Sequence, residues 1–232
     1  MILIFDYFET LLSSKSIDFN RGLKVFWEKN YKDKCQFEDI KKYGEELFNY
    51  LLSMHAEGKE FPFVKEELPL YAQKYGGDVV SMSAEEEADF LMRCNDFEIC
   101  SEVESFLENC HHKNIPMYVV SNSGFRAEAL KIVLDRFDIG KYFRKVWSSA
   151  DFGRIKPCKD FFELAIQTAL KDNPNEERDD IIYIGDLYET DVIGARNAGI
   201  KVAWLNKKSE EDNDNLATFS VTQMDELMGM II

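Results

Sequence analysis

The 232 residues contain no run of about 18 apolar residues, so no segment is expected to span a membrane. Basic residues are scarce: 28 Lys and Arg stand against 43 Asp and Glu, a formal net charge of −15. Phosphate backbones are held by clustered Lys and Arg, so nucleic acid is not an expected partner. The acidic surplus reads as a solvated surface that aids solubility. No Cys-x-x-Cys pair occurs among Cys35, Cys94, Cys100, Cys110 and Cys158. An odd count without a secretion signal suits reduced thiols in a cytosol, and Cys158 beside Pro157 reads as an ordinary thiol. The apolar start has no basic leader and no small-residue cleavage site, and Asp6 interrupts it. It is therefore expected to be a first strand rather than a signal peptide. No internal repeat is visible.

What is present describes a soluble globular chain, long enough for a core and an insertion. Residues 2–6 form an apolar strand ending in an acid. From about residue 16 to 95 the spacing turns helical, as in Leu23, Phe26 and Trp27, then Tyr43, Leu47, Phe48 and Leu51. Ser83 and Glu86 have the spacing of a capping box ahead of Phe90 and Leu91. No long apolar strand stands out there, and the segment is expected to be an all-helical insertion. Beyond residue 100, strands expected at 117–120, 143–147, 181–184, 202–205 and 218–221 alternate with amphipathic helices. Those helices carry Ala129, Ile132, Val133 and Phe137; then Phe161, Leu164, Ala165 and Ala169; then residues 192–198. Such alternation implies an α/β fold, a doubly wound, Rossmann-like parallel sheet with helices on both faces. Ligands bind such sheets at the carboxyl ends of the strands. Asp6, Ser121 and Asp186 each fall just behind an apolar strand.

Asp6, Asp186 and Asp191, with few cations beside them in sequence, suggest a Mg²⁺ site and hence phosphate chemistry. Mg²⁺ takes oxygen ligands and is usually held by one or two carboxylates plus substrate phosphate and water. Each residue alone has a plainer reading: a strand-end Asp, Ser or Thr is commonly a cap, a lone Lys lies on the surface, and Gly185 is a turn glycine.

Four pieces follow in order: Asp6-Tyr7-Phe8-Glu9-Thr10, then Ser121-Asn122, then Lys156-Pro157, then Gly185-Asp186 with Asp191. Together they resemble the haloacid dehalogenase (HAD) superfamily, and the resemblance covers essentially the whole chain. It implies a core of residues 1–15 and 96–232 with an inserted α-helical C1 cap at residues 16–95. It also implies roles. Asp6 would be the nucleophile, forming an aspartyl phosphate. Mg²⁺ would be bound by Asp6, the backbone carbonyl of Phe8, Asp186 and Asp191. Ser121 and the Asn122 amide would hold phosphoryl oxygens, Lys156 would neutralise charge, and Thr10 would brace the loop. The chain is then expected to be a cytoplasmic, Mg²⁺-dependent phosphatase for a small phosphorylated metabolite.

One position departs from the pattern. Phosphatases of the superfamily carry a second Asp two residues after the nucleophile, which protonates the leaving alkoxide and later activates water. Phe8 can do neither, and general acid–base catalysis is typically worth about 10²–10⁴-fold. Substitutes in view are Glu9, Tyr7, His55 or a cap carboxylate. The alternatives are a catalytically weakened phosphate-binding or regulatory protein, a haloacid dehalogenase, which also lacks the second Asp, and a phosphonatase using a cap lysine such as Lys24, Lys29 or Lys32.

Overall fold

Alternating apolar strands and amphipathic helices assemble into a doubly wound parallel sheet. The computed structural model describes residues 1–212 and 214–231. In chain order the elements are β1 (Ile2–Phe5), β2 (Leu12–Ile17), α1 (Phe19–Asn30), α2 (Phe37–Ala56), α3 (Leu68–Tyr75), α4 (Ala84–Cys94) and β3 (Asn95–Ile99). They continue with α5 (Val103–His112), β4 (Met117–Ser121), α6 (Ala127–Arg136), β5 (Phe143–Ser148), α7 (Ser149–Phe152), α8 (Lys159–Asp172) and β6 (Ile181–Gly185). The chain closes with α9 (Ile193–Asn197), β7 (Lys201–Leu205), β8 (Phe219–Val221) and α10 (Met228–Ile231). Single π-helical turns, Phe63–Glu67 and Tyr188–Val192, lead into α3 and α9.

The six-stranded sheet has the order β5-β4-β1-β6-β7-β8, and every pairing in it is parallel. The chain builds outward from β1 in one direction, then returns to build from β1 in the other. The reversal falls between β1 and β6, the place where such sheets bind ligands. Side chains alternate across a strand, and the two faces separate cleanly. Leu3, Phe5, Met117, Val119, Ile182 and Ile184 pack with Phe106, Leu107, Leu130 and Val133 of α5 and α6. Ile2, Ile4, Tyr118, Val120, Ile181 and Tyr183 pack with Phe161, Ala165 and Ile166 of α8. Each such side chain, fully buried, contributes about 1.5–3 kcal/mol relative to exposure.

Helices α1 to α4 hold a third apolar cluster, including Leu23, Phe26, Ile40, Leu47, Phe61, Phe63, Tyr71 and Phe90. The capping box expected at Ser83 forms: Glu86 N donates to Ser83 Oγ at 3.2 Å and Ser83 N to Glu86 Oε2 at 3.1 Å. Backbone bonds tie this unit to the loops of the sheet, Phe63 N to Gly124 O at 2.8 Å and Glu60 N to Gly153 O at 3.1 Å. Arg126 adds Nε to Glu87 Oε2 at 2.5 Å.

The segment is not purely helical at its ends. β2 runs on to Ile17 and β3 begins at Asn95, and the two pair antiparallel at the neck of the insertion. Both are short and mostly polar, β2 opening to solvent toward Ile17 and β3 half-buried, so apolar periodicity gives no sign of them. Elsewhere the boundaries move by a residue: β5 reaches Ser148, β6 reaches Gly185, β7 starts at Lys201 and β8 at Phe219. Among the described residues, no helix is long and apolar enough to cross a membrane.

Candidate active site

Asp6 follows β1 directly, and its N–H donates to Ile184 O of β6 at 2.8 Å, which seats it on the switch point. Asp186 leaves β6 on the neighbouring strand end, and Asp191 ends one turn later, in the π-helical turn. Oxygens of the three carboxylates lie within 4.8 Å of one another. Lys156 enters from the loop before α8, and its side chain is 2% exposed. Its ammonium uses all three donors: Asp6 Oδ1 at 2.5 Å, Asp191 Oδ1 at 2.7 Å and Tyr183 OH at 2.8 Å.

Asp191 is fully engaged. Its Oδ1 also accepts from Tyr183 OH at 3.1 Å, and its Oδ2 accepts from Leu187 N at 3.0 Å. Gly185 makes room for it: a Cβ there would lie 2.5 Å from Asp191 Cγ. The glycine is therefore needed for close approach rather than for a tight turn. Asp186 is freer, with Thr10 Oγ1 at 3.5 Å from its Oδ1 and Trp204 Nε1 donating to its carbonyl at 2.9 Å.

Ser121 closes β4 and is completely buried. The Asn122 side chain clamps the Lys156 backbone, accepting from Lys156 N at 2.6 Å and donating to Lys156 O at 3.2 Å. Phe8 turns toward the neck of the insertion, with its ring 4.7 Å from Tyr7 and 6.2 Å from Phe97 of β3. The substitutes for a missing acid are engaged elsewhere. Tyr7 OH donates to Leu130 O at 3.1 Å in the core, His55 Nε2 pairs with Glu60 Oε1 at 2.9 Å, and Glu9 Oε1 accepts from Ser14 N at 3.4 Å. Of the lysines in the insertion, Lys24, Lys29 and Lys32 are all exposed. Tyr183 joins the site without belonging to any of the four motifs. Its one signal in the sequence is a hydroxyl within the otherwise aliphatic run Ile181-Ile182-Tyr183-Ile184.

A family model for haloacid dehalogenase-like hydrolases matches residues 3–205. The chain belongs to that family. Among curated relatives, this HAD-like hydrolase is 31% identical over 133 residues to pyrimidine 5′-nucleotidase YjjG of Escherichia coli. The match covers 56% of each chain. It is 28% identical over 97 residues to 5-amino-6-(5-phospho-D-ribitylamino)uracil phosphatase YigB of Escherichia coli, covering 42% of this chain and 36% of that one. The chain thus spans about half or less of the curated relatives it matches. Solved structures share the fold. For 2-haloacid dehalogenase of Pseudomonas syringae the TM-score is 0.69 at 20% identity, covering 100% of this chain and 98% of that one. For the magnesium-bound HAD-hydrolase YfnB of Bacillus subtilis it is 0.62 at 19% identity, covering 99% and 97%.

The charge balance of the HAD-like site is uneven, with three carboxylates around one lysine. Burial, reinforced by Asp191 and Asp186, pushes Asp6 up to about 7 even though Lys156 pulls the other way. Burial and Asp191 push Asp186 up to about 6. Burial disfavours charge on Lys156, but Asp191 and Asp6 outweigh it and hold the ammonium above its usual value. Surplus buried negative charge built wholly from carboxylate oxygens suits a hard divalent cation. The residues present therefore fit a magnesium ion, with Asp6 and Asp186 the carboxylates best placed to reach it, since Asp191 has both oxygens engaged.

Proposed function

We propose that this HAD-like hydrolase is a Mg²⁺-dependent phosphatase acting on a small phosphorylated metabolite, with Asp6 as its nucleophile. The observation that carries the reading is the cluster of buried Asp6 and Asp191, both on the ammonium of Lys156, with half-buried Asp186 beside them at the carboxyl ends of the strands. The names of both curated relatives describe phosphate-ester chemistry, which favours a phosphatase over a dehalogenase.

In this reading Asp6 attacks phosphorus in line, the ester oxygen leaves, and water then releases phosphate from the aspartyl phosphate. Lys156 holds one oxygen of Asp6, which leaves the other for the attack. Its charge also offsets what accumulates on the phosphoryl oxygens. Ser121 and the Asn122 backbone amide hold those oxygens, and the Asn122 side chain keeps Lys156 in place. When bound, Mg²⁺ would be held by Asp6, the Phe8 carbonyl and Asp186 with Asp191 in support, shielding the phosphate charge from the attacking carboxylate. Residues 16–95 serve as a cap that excludes water from a core of residues 1–15 and 96–232. Five cysteines, all free, agree with a cytoplasmic setting.

Phe8 favours a second reading, a phosphate-binding or regulatory protein with little turnover, because no acid stands at that position. Hydrolysis of acetyl phosphate and p-nitrophenyl phosphate separates the two, since these leaving groups need little protonation. Turnover that requires both Mg²⁺ and Asp6, and is abolished in Asp6→Asn and by EDTA, is expected. Turnover unchanged in Asp6→Asn would remove Asp6 as nucleophile. Silence on both substrates would favour the regulatory reading, with a metal-free haloacid assay as the next measurement.

A further inference from the structure

Between α2 and the π-helical turn Phe63–Glu67, the insertion runs along two loops of the sheet. Lys59 forms an antiparallel bridge with Arg154. Ile155 N donates to Gly58 O at 3.2 Å and Glu60 N to Gly153 O at 3.1 Å. The stretch is thus an added edge on the segment that leads into Lys156. At its far end Phe63 N donates to Gly124 O at 2.8 Å, on the loop that follows Ser121.

Glu60 stands in the middle of this stretch, and its side chain is fully buried. Its Oε1 accepts from Phe61 N at 2.9 Å and pairs with His55 Nε2 at 2.9 Å. Its Oε2 accepts from Ser149 Oγ at 2.5 Å. Ser149 Oγ in turn accepts from Ser123 N at 2.8 Å. That N–H belongs to the peptide joining Ser123 to Asn122, so the chain of bonds ends on the loop of Ser121 and Asn122. Burial pushes the Glu60 carboxyl up, but the bonds from His55, Ser149 and Phe61 outweigh it and hold it below the usual carboxylate value. A buried carboxylate is costly unless its oxygens are bonded, and bonds to a charged acceptor are the strong ones. Such a group therefore fixes the place of whatever donates to it. No step at Asp6 uses it.

We propose that Glu60 is a positioning residue for phosphoryl transfer, a carboxylate of the insertion that sets the loop of Ser121 and Asn122 through Ser149 and the Ser123 peptide. The inference rests on the phosphatase reading and makes the insertion part of the hold on phosphate, not only a cover. Donors to the phosphoryl oxygens help only when they are placed beforehand, and a displacement of about 1 Å can cost about 10²-fold.

The test uses the full chain as wild type, Glu60→Leu, Glu60→Gln, Ser149→Ala and the Glu60→Leu/Ser149→Ala double variant. The substrates are acetyl phosphate and p-nitrophenyl phosphate, with inorganic phosphate as competitive inhibitor. Glu60→Leu should lower kcat/KM on both esters alike, by about 10–10²-fold, because the loop holds the phosphoryl group and not the leaving group. The inhibition constant of inorganic phosphate should rise by about tenfold, the scale of one hydrogen bond to a charged group. Glu60→Gln should recover most of both losses. Its amide N–H can donate to Ser149 Oγ, whose proton then turns to Ser123 O, 3.2 Å away. Ser149→Ala should resemble Glu60→Leu, and the double variant should lose no more than the worse single one, since both lie on one path. Unchanged inhibition by phosphate, a loss confined to one ester, or losses that add in the double variant would overturn the proposal. If Glu60→Leu does not fold, Ser149→Ala, which removes only a hydroxyl, decides by the first two of these readings. If wild type is inert on both esters, the phosphatase reading fails separately. Calorimetric titration with inorganic phosphate in Mg²⁺ then decides: binding weakened by Ser149→Ala supports the role of Glu60, and equal binding or none overturns it.

Discussion

At the scale of the residue, the site is organised around one ammonium. Lys156 has no donor left over, because Asp6, Asp191 and Tyr183 take all three. Breaking such a buried pair by removing one partner typically costs about 3–5 kcal/mol, because the other charge stays buried. The Asn122 clamp on the Lys156 backbone and the room left by Gly185 for Asp191 are therefore as much part of the site as the charged groups. Phe8 is the residue whose chemistry differs most from its surroundings. Its ring packs against Tyr7 and Phe97 and offers no proton to a leaving oxygen. Phe8→Asp should raise kcat on an alkyl phosphate by about 10–10²-fold while leaving acetyl phosphate turnover within a few-fold, since only the former needs the proton. Steady-state kinetics on both substrates check this. No gain on the alkyl ester would mean that another group already serves as the acid or that the site is built for other chemistry.

At the scale of the element, the π-helical turn Phe63–Glu67 does two things at once. It ties the insertion to the sheet through Phe63 N and Gly124 O, and it places Glu67 beside a cavity that Phe19, Phe48, Phe61, Phe63 and Phe125 also line. A carboxyl moved by burial from 4.5 to about 8 binds a proton in the folded chain that the unfolded chain has already lost. Stability contributed at Glu67 should therefore be present at low pH and fall as pH rises from about 4.5 to about 8. Glu67→Gln removes that dependence. Urea midpoints at pH 5, 7 and 9 should show the variant gaining on wild type with rising pH and levelling off at the alkaline end. A constant difference would mean that Glu67 ionises as freely in the folded chain as in the unfolded one.

At the scale of the whole molecule, the insertion and the loops of the sheet are stitched together by Glu87 with Arg126 and by Glu60 with Ser149. Both glutamates are buried, and their partners come from the sheet side of the chain. Cation binding at Asp6 and Asp186 should stabilise the whole fold by mass action. At a hundredfold excess over the dissociation constant the gain is about 2.7 kcal/mol, or about 5–10 °C in Tm for a chain of this size. Thermal melts with Mg²⁺ and with EDTA measure it, and Asp186→Asn should shrink the difference. Equal melting temperatures in Mg²⁺ and EDTA would argue against a cation at this cluster.

The positions of Asp6, Ser121 and Asp186 were legible in the sequence because each sits where an apolar strand stops, and a parallel sheet puts all such ends on one side. The βα alternation likewise determined the sheet and its helical faces. Other features depended on partners far along the chain. The β2–β3 pair is mostly polar, so no hydrophobic period marked it, and only antiparallel pairing between segments some 80 residues apart, from Leu12 with Ile99 to Ile17 with Asn95, made it a strand pair. Tyr183 reads as one more apolar strand residue until folding brings Lys156, 27 residues earlier, to its hydroxyl. Nothing in the sequence shows that the Asn122 side chain meets the Lys156 backbone, 34 residues away. Glu67 is one of many helix acids, and only the surrounding phenylalanines set its carboxyl apart. The sequence alone determined which polar residues stand at the carboxyl ends of the strands, because strand ends and motif spacing are local. Which of them are engaged, neutralised or free was decided by contacts between distant segments.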